Sequence, residues 1–222
     1  LYFGFAPGYI QNSRGIYYDP ARNTVWGVLN GLNANCNDSA KPTGVQAKLI
    51  PMALTGRDIL GQAKTGTGKT AAFGLPLLNM CDRDKPFQAL VLAPTRELAI
   101  QITAEIDKLG KFTPIRSTTV YGGQAIRSQA DKLAKGAQII VGTPGRVMDM
   151  VQRGLLHFNN LRFAVLDEVD RMLDIGFRED IRRILDMCPP PRESLEPGAP
   201  GRQTIMVSAT LSPEIERLAR RY

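Results

Sequence analysis

The feature that most constrains the fold is an alternation of short apolar runs with segments of helical periodicity, which begins near residue 42. The apolar runs, such as Ala89-Leu90-Val91-Leu92, are nearly continuous, which is typical of strands buried on both faces. The pattern predicts strands at residues 58–61, 89–93, 117–121, 138–141, 163–166 and 204–207. It predicts helices at residues 43–54, 69–80, 96–109, 125–133, 146–151, 177–187 and 213–220. This order favours an α/β fold, a mostly parallel sheet with helices on both faces.

Composition narrows the class of protein further. The chain has 222 residues, a hydrophobic content of 43% and a net charge of +7, which together support a large core and an anionic partner. Nucleic acid, nucleotide and membrane surface all stay open as that partner. No apolar run is long enough to cross a bilayer, and the three cysteines are far apart in the sequence. We therefore expect no membrane span, no disulfide framework and a cytoplasmic location.

The first 40 residues differ from the rest in composition. Residues 1–40 are rich in aromatic residues and asparagine and poor in charge, so we expect an appendage to a domain at 41–222. Residues 1–4 resemble the remainder of a purification tag. The Pro- and Gly-rich stretch 188–202 predicts a long surface loop. Pro51 and Pro76 are expected to end or kink the first two helices.

The segment Ala63-Lys64-Thr65-Gly66-Thr67-Gly68-Lys69-Thr70 lies between a predicted strand and a predicted helix. Its glycines allow a tight turn that exposes successive backbone N–H groups, and the following helix N-terminus adds a favourable dipole. Lys69 can then reach phosphate oxygens, and the Thr70 hydroxyl can bind Mg²⁺. Ala63 replaces the first glycine of the strict phosphate-loop pattern. The segment still predicts a nucleotide-binding loop.

Two further polar segments follow predicted strands. Asp167-Glu168-Val169-Asp170 follows the strand at 163–166, and Ser208-Ala209-Thr210 follows the strand at 204–207. A carboxylate at such a strand end can bind Mg²⁺, usually through water, and a neighbouring acid can activate a water molecule. Taken alone, the first segment could be a solvated helix start and the second an ordinary helix cap.

Seven segments in order resemble the DEAD-box RNA helicases. They are Pro42-Thr43-Gly44-Val45-Gln46, residues 63–70, Pro94-Thr95-Arg96-Glu97-Leu98-Ala99, Gly122-Gly123, Thr143-Pro144-Gly145-Arg146, residues 167–170 and Ser208-Ala209-Thr210. The resemblance runs from about residue 42 to the end of the chain. It implies the first of two RecA-like domains of an ATP-dependent RNA helicase, which unwinds RNA duplexes locally during ATP hydrolysis.

The resemblance also implies roles for single residues. Gln46 would read adenine, an interaction for which a side-chain amide has the right donor and acceptor. The phosphate contacts would come from Thr65, Gly66, Thr67, Gly68, Lys69 and Thr70. Mg²⁺ would be bound by Thr70 and Asp167, and Glu168 would be the base, so that the catalytic residues are Lys69, Asp167 and Glu168.

The remaining motif residues are expected to bind RNA or to couple ATP hydrolysis to strand separation. The RNA backbone would be contacted by Thr95, Arg96, Gly122, Gly123, Thr143, Gly145 and Arg146. Coupling of hydrolysis to strand separation would depend on Asp170, Ser208 and Thr210. For Arg96 alone, an ion pair with Glu97 or Glu105 would otherwise be the preferred interpretation.

Four departures from the family pattern matter. Val169 stands where the family has alanine, and Asp38 stands where it has glycine. The aromatic residue that stacks on adenine has only approximate candidates here, Tyr17, Tyr18 and Trp26. The second helicase domain is absent from this sequence, so we expect a monomeric fragment with little or no activity alone. An ATP-gated RNA clamp, and a DNA-acting or other NTPase, are the alternatives.

Overall fold

In a computed structural model of the protein, the described residues are 43–64, 66–191 and 201–222, together with the backbone of three short N-terminal strands. These strands are β1 (Ile10–Gln11), β2 (Tyr17–Asp19) and β3 (Thr24–Trp26). They pair antiparallel in the order β1-β2-β3. The side chains of the adenine-stacking candidates, the position of Asp38 and the packing of the predicted appendage lie outside the described residues.

The main sheet is parallel throughout its described pairings. Its strand order is β4-β9-β8-β5-β7-β6. The strands are β4 (Ile59–Gln62), β5 (Ala89–Leu92), β6 (Ser117–Val120), β7 (Ile139–Gly142), β8 (Phe163–Asp167) and β9 (Gln203–Ser208). The six predicted strands are confirmed, and β8 extends one residue further than predicted, to include Asp167.

The described part of the chain contains eight helices. They are α1 (Gly44–Leu54), α2 (Lys69–Met80), α3 (Arg96–Leu109), α4 (Ile126–Leu133), α5 (Pro144–Gln152), α6 (Val169–Ile175), α7 (Arg178–Met187) and α8 (Pro213–Arg221). The sequence did not predict α6, which is only seven residues long and begins at Val169, within the acidic segment. Helix α5 begins at Pro144 rather than Arg146, because proline is well suited to the first position of a helix.

The four inner strands, β5, β7, β8 and β9, divide their side chains between two apolar cores. In β5, Ala89 and Val91 pack in one cluster with residues of α1, α2 and α3. Leu90 and Leu92 pack in the other cluster, with residues of α4 through α8. The alternation follows from the two-residue period of a strand, and it explains why the apolar runs are continuous. Helices therefore cover both faces of the sheet, as predicted.

Of the two outcomes expected for the prolines, an end or a kink of the helix, the structure excludes the first. Helix α1 continues past Pro51 to Leu54, and α2 continues past Pro76 to Met80. A proline inside a helix loses one backbone hydrogen bond. In α2 the residues on both sides of Pro76 are buried, so tertiary packing stabilises the helical path more than the missing bond disfavours it.

The prediction of a surface loop at 188–202 is wrong at both ends of that stretch. Cys188 and Arg202 are buried, and Pro191 forms a parallel bridge with Arg202. The Arg202 guanidinium donates to the carbonyl oxygens of Leu185, at 3.1 Å, and Tyr222, at 3.0 Å. Both carbonyl groups lie at the C-terminal ends of their helices, Leu185 in the last turn of α7 and Tyr222 as the C-cap of α8. The last carbonyl groups of a helix have no partner within the helix. Residues 192–200 lie outside the described part.

The two described cysteines are buried and form no disulfide. Cys81 and Cys188 lie on opposite faces of the sheet, one in each apolar cluster. Burial raises the pKa of the Cys188 thiol to about 12, although the nearby Arg202 charge opposes the shift. Within the described residues, no helix is both long and apolar enough to cross a membrane.

Candidate functional site

The strand order brings three polar loops to one edge of the sheet. Strand β9 lies between β4 and β8. The phosphate-loop segment follows β4, the acidic segment follows β8, and Ser208-Ala209-Thr210 follows β9. Because the strands are parallel, the three loops leave the sheet at its carboxyl edge, where ligands bind in open α/β sheets.

The loop after β4 has the backbone of a phosphate-binding turn. Gly66 and Gly68 have φ angles of 77° and 78°, a left-handed conformation that glycine adopts without strain. Gly68 is the N-cap of α2, and its carbonyl oxygen accepts the first helical hydrogen bond, from Ala72 at 3.1 Å. The free N–H groups of the first helical turn therefore point out of this loop. Thr65 lies outside the described residues.

The start of α1 is bonded to the same loop. The Thr43 hydroxyl donates to the Thr67 carbonyl oxygen at 2.8 Å, and the Gln46 side-chain amide donates to the Gly68 carbonyl oxygen at 3.2 Å. Gln46 Oε1 also accepts from the Thr43 backbone N–H at 3.0 Å. The Gln46 amide thus keeps one N–H and one oxygen lone pair for a further ligand.

The sequence reasoning missed Thr43 as a site residue. Thr43 and Gln46 form a reciprocal capping box at the start of α1. The Thr-x-x-Gln spacing before an apolar run is the signal that predicts such a box. The bond from Thr43 to the loop after β4 has no such signal, because it depends on how α1 packs.

The centre of the site is a buried ion pair between α2 and β8. Lys69 Nζ lies 3.3 Å from Asp167 Oδ1, and the two residues are 6% and 2% exposed. The ammonium group has no hydrogen-bond acceptor in suitable geometry among the described residues. Burial raises the pKa of Asp167, and the charge of Lys69 opposes that shift. A buried cation with unused donors, beside a turn of exposed N–H groups, fits a polyphosphate.

Glu168 has an unusual backbone conformation. Its φ of 54° and ψ of 54° are left-handed, which costs energy in a residue other than glycine. Its N–H donates to Asp167 Oδ1 at 3.0 Å, and α6 begins immediately after it. Backbone strain of this kind is common at functional sites.

Val169, the departure from the family pattern, is a core residue. It is fully buried in the apolar cluster that also contains Leu166 and Met172. Its two methyl groups thus pack in the apolar cluster and not in the polar network of the acidic segment. Relative to alanine, valine therefore adds apolar atoms to the core and no polar atom to the site.

The three predicted coupling residues form one hydrogen-bond network. Asp170 Oδ2 accepts from both the backbone N–H and the hydroxyl of Thr210, each at 3.0 Å. The Asp170 N–H donates to the Ser208 hydroxyl at 3.2 Å. Burial disfavours the charged carboxylate, but the bonds from Arg171, Thr210 and Ser208 outweigh it and lower the pKa of Asp170. The network joins the loops that follow β8 and β9.

The predicted RNA contacts also lie at the carboxyl edge, beyond β8. They follow β5, β6 and β7, three strands that are adjacent in the sheet. The Thr95 hydroxyl accepts from Leu98 N–H at 3.2 Å as the cap of α3, and Arg146 donates to the Gln124 carbonyl oxygen at 3.1 Å. The structure places the following seven residues on this edge: Thr95, Arg96, Gly122, Gly123, Thr143, Gly145 and Arg146.

Arg96 does not form the ion pair that the sequence left open. Its guanidinium has no carboxylate within 4 Å among the described residues, so neither Glu97 nor Glu105 is its partner. It lies instead 5.1 Å from the centroid of the Tyr121 ring. The guanidinium N–H groups of Arg96 therefore donate to no acidic side chain among the described residues.

Few side chains in the described part of the chain could bind Mg²⁺, but they carry the oxygen ligands that this ion prefers. In the described part of the chain, no group of three or more His, Cys, Asp or Glu side chains converges. Mg²⁺ does not require one, because it is usually bound through one or two carboxylates, waters and substrate phosphates. The Thr70 hydroxyl on the first turn of α2 and the Asp167 carboxylate at the end of β8 fit that pattern.

The parallel sheet, the glycine turn and the Lys69–Asp167 pair define a RecA-like nucleotide-binding domain. Two solved structures support this class. A DEAD box protein from Methanococcus jannaschii is 40% identical with a TM-score of 0.75, and the match covers 82% of this chain and 47% of that one. A hypothetical ATP-dependent RNA helicase from Sulfolobus tokodaii is 33% identical with a TM-score of 0.70, covering 81% and 49%.

Sequence comparison identifies the family. The DEAD/DEAH box helicase family matches residues 43–218, so the chain belongs to that family. DEAD-box ATP-dependent RNA helicase CshA of Bacillus cereus is 49% identical over 81% of this chain, and that of Bacillus subtilis is 44% identical over 88%. The chain spans only 33% and 37% of the length of these two relatives.

Proposed function

We propose that residues 41–222 are the first RecA-like domain of an ATP-dependent RNA helicase. In this proposal, RNA-stimulated ATP hydrolysis drives the local unwinding of RNA duplexes. The observation that carries the proposal is the buried pair of Lys69 and Asp167, 3.3 Å apart beside a phosphate-binding turn. The names of the two Bacillus relatives support both ATP and RNA as ligands of the intact protein.

The phosphate-binding role belongs to the loop and the first turn of α2. Lys69 and the N–H groups that follow Gly66 and Gly68 would bind the phosphate oxygens of ATP. Thr70 and Asp167 would hold Mg²⁺, which when bound neutralises phosphate charge. Thr65 and Thr67 complete the proposed phosphate contacts.

Two side chains have more specific roles in the proposal. Gln46 would bind adenine with the N–H and lone pair that its contacts to Thr43 and Gly68 leave unused. Glu168 would orient the attacking water and accept its proton, since it directly follows Asp167, the proposed Mg²⁺ ligand at the end of β8.

RNA binding is assigned to the adjacent part of the same edge. Glycine N–H groups, helix starts and two arginines bind phosphates without reading bases. We therefore expect binding that is independent of sequence and weakened by salt. Asp170, Ser208 and Thr210 would transmit the nucleotide state, because their hydrogen bonds join the loop that holds Glu168 to the loop after β9.

A second RecA-like domain is part of the proposal. The chain spans about a third of its curated relatives, which leaves room for such a domain in the intact protein. The isolated domain should hydrolyse ATP poorly, since half of the RNA cleft would be missing. We propose that the fragment is monomeric and that the intact protein acts in the cytoplasm.

The decisive experiment uses the full-length protein with Glu168→Gln. This variant should bind ATP and RNA with unchanged affinity and lose turnover, because only the proton acceptor is removed. Glu105→Gln, an exposed change on α3, is the matched control and should hydrolyse ATP normally. Normal turnover in Glu168→Gln would remove that residue from the role of base.

A strand-separation assay distinguishes the helicase from the alternatives. Release of a short RNA strand in step with ATP hydrolysis supports unwinding. Retention of RNA only while ATP is bound, with no strand release, would instead indicate an ATP-gated clamp. Equal stimulation of the ATPase by DNA and RNA would indicate a DNA-acting NTPase.

A further inference from the structure

Tyr121 connects β6 to the proposed RNA-binding edge. It directly follows the last residue of β6 and precedes Gly122 and Gly123. The side chain is 8% exposed, and the centroid of its ring lies 5.1 Å from the guanidinium carbon of Arg96. Arg96 itself is exposed at the start of α3. A buried aromatic ring thus packs against an exposed guanidinium group.

The backbone of Tyr121 is fixed by a single side chain. Gln129 on α4 accepts from the Tyr121 N–H at 3.0 Å and donates to the Tyr121 carbonyl oxygen at 3.0 Å. Gln129 is 1% exposed, so water does not compete for these bonds. The amide pairs with the edge of β6 much as a neighbouring strand would. The position of the ring is therefore determined by α4 as well as by β6.

The consequence concerns the freedom of Arg96. A long side chain on the surface loses conformational entropy when it binds a phosphate. Contact with a fixed aromatic face reduces that loss, and the contact itself is attractive. The N–H edge of the guanidinium stays available, because no described carboxylate lies within ion-pair distance of Arg96.

We propose that Tyr121 is a positioning residue for RNA binding, which holds the Arg96 guanidinium ready for a backbone phosphate and is itself held by Gln129. This inference rests on the proposed RNA contact of Arg96. Tyr121 acts through Arg96 and touches no RNA itself. A residue that only fills the core would contribute to stability, but its effect on RNA affinity would not depend on Arg96.

The test is a double-mutant cycle on the full-length protein. The affinity for a single-stranded oligouridylate is measured at low salt with a non-hydrolysable ATP analogue, for Tyr121→Phe, Tyr121→Leu, Arg96→Ala and the double variant Arg96→Ala/Tyr121→Leu. Tyr121→Phe keeps the ring and should bind within about twofold of the unchanged protein. Tyr121→Leu should bind about three- to tenfold more weakly, the range expected for one cation–aromatic contact. In the Arg96→Ala background, Tyr121→Leu should have no further effect.

Stability is controlled in two ways. Thermal unfolding of each variant shows whether it is folded at the assay temperature. Tyr121→Met, whose unbranched and flexible side chain can adapt to the vacated space, should lose the same RNA affinity as Tyr121→Leu. The NMR signal of the Arg96 Nε–H in the 222-residue chain gives a reading without RNA. It should carry a ring-current shift that disappears in Tyr121→Met.

Three results would overturn the proposal, and they are distinguishable. Additive effects of Tyr121→Leu and Arg96→Ala would show that Tyr121 acts independently of Arg96. An effect of Arg96→Ala without an effect of Tyr121→Met would show that the ring is not needed. Unchanged RNA affinity in Arg96→Ala would remove the RNA contact itself, and would therefore contradict the proposed function of Arg96 as well.

Discussion

The Lys69–Asp167 pair makes a prediction about the protein without nucleotide. Replacing Lys69 by methionine keeps the length of the side chain but leaves Asp167 as a buried carboxylate without its counter-charge. We expect Lys69→Met to lower the free energy of unfolding as well as the affinity for ATP. A purely ligand-binding lysine would change the affinity alone.

The size of the loss follows from the geometry. Two unit charges 3.3 Å apart attract by about 5 kcal/mol at an effective dielectric constant of about 20. Removing one partner of a buried pair usually costs about 3–5 kcal/mol. The lysine ammonium is not aligned for a hydrogen bond, so we expect the lower end, about 3 kcal/mol. With a urea m-value of about 2 kcal/mol/M, the unfolding midpoint should fall by about 1.5 M.

Urea unfolding of the 222-residue chain, followed by circular dichroism at neutral pH without nucleotide, measures this loss. Lys48→Met, an exposed change on α1, is the control and should alter the free energy of unfolding by less than about 0.5 kcal/mol. The double variant Lys69→Met/Asp167→Asn removes both charges and should recover most of the stability. An unchanged midpoint in Lys69→Met, or a double variant less stable than Lys69→Met, would refute the reasoning.

Three further changes test the surroundings of the site. Val169→Ala should lower the free energy of unfolding by about 2 kcal/mol, since two buried methyl groups are lost, while calorimetry should find unchanged ATP affinity. The pKa of Asp170 is lowered in the folded protein, so its charged carboxylate stabilises the fold. This stabilisation is present above the unfolded pKa of 3.8 and is lost as the pH falls through the folded pKa. Thermal unfolding between pH 5 and 3 should therefore show a steeper decline in stability than in Asp170→Asn. Gly68→Ala should lower the free energy of unfolding more than Gly66→Ala, as measured by urea unfolding. Both glycines have left-handed φ angles, so both substitutions strain the backbone. Only at Gly68 would the added Cβ also meet Gln46 Nε2, at 2.5 Å. Equal losses in the two glycine variants would contradict the contact with Gln46.

Much of the fold could be predicted because its signal is periodic. A strand buried on both faces must be apolar at every position, so the run at β5 is visible in the sequence without any knowledge of its neighbours. The meeting of Lys69 and Asp167 followed from the same reasoning, because parallel strands end at a common edge. The roles of these two residues in catalysis stay predictions.

The features that the sequence did not predict depend on single contacts rather than on periodicity. Helix α6 is too short to show an apolar repeat, and the left-handed turn at Glu168 has no glycine to mark it. The bonds from Thr43 to the phosphate loop and from Gln129 to Tyr121 join side chains to distant backbone. Such contacts form only when the helices have packed, so no local sequence pattern predicts them.

The position of β9 brings one short loop into contact with both halves of the proposed nucleotide site. Strand β9 lies between the strand that precedes the phosphate loop and the strand that ends in Asp167. On the first side, the Ala63 N–H donates to the Ser208 carbonyl oxygen at 2.9 Å, and Gln62 Nε2 donates to the Ala209 carbonyl oxygen at 3.0 Å. On the other side, Thr210 donates twice to Asp170. A displacement of either neighbouring loop must therefore strain hydrogen bonds of the loop after β9, whereas the loops after β4 and β8 leave strands that are not adjacent in the sheet. This connectivity, rather than the hydroxyl groups alone, is the physical reason for the proposed coupling role of Asp170, Ser208 and Thr210.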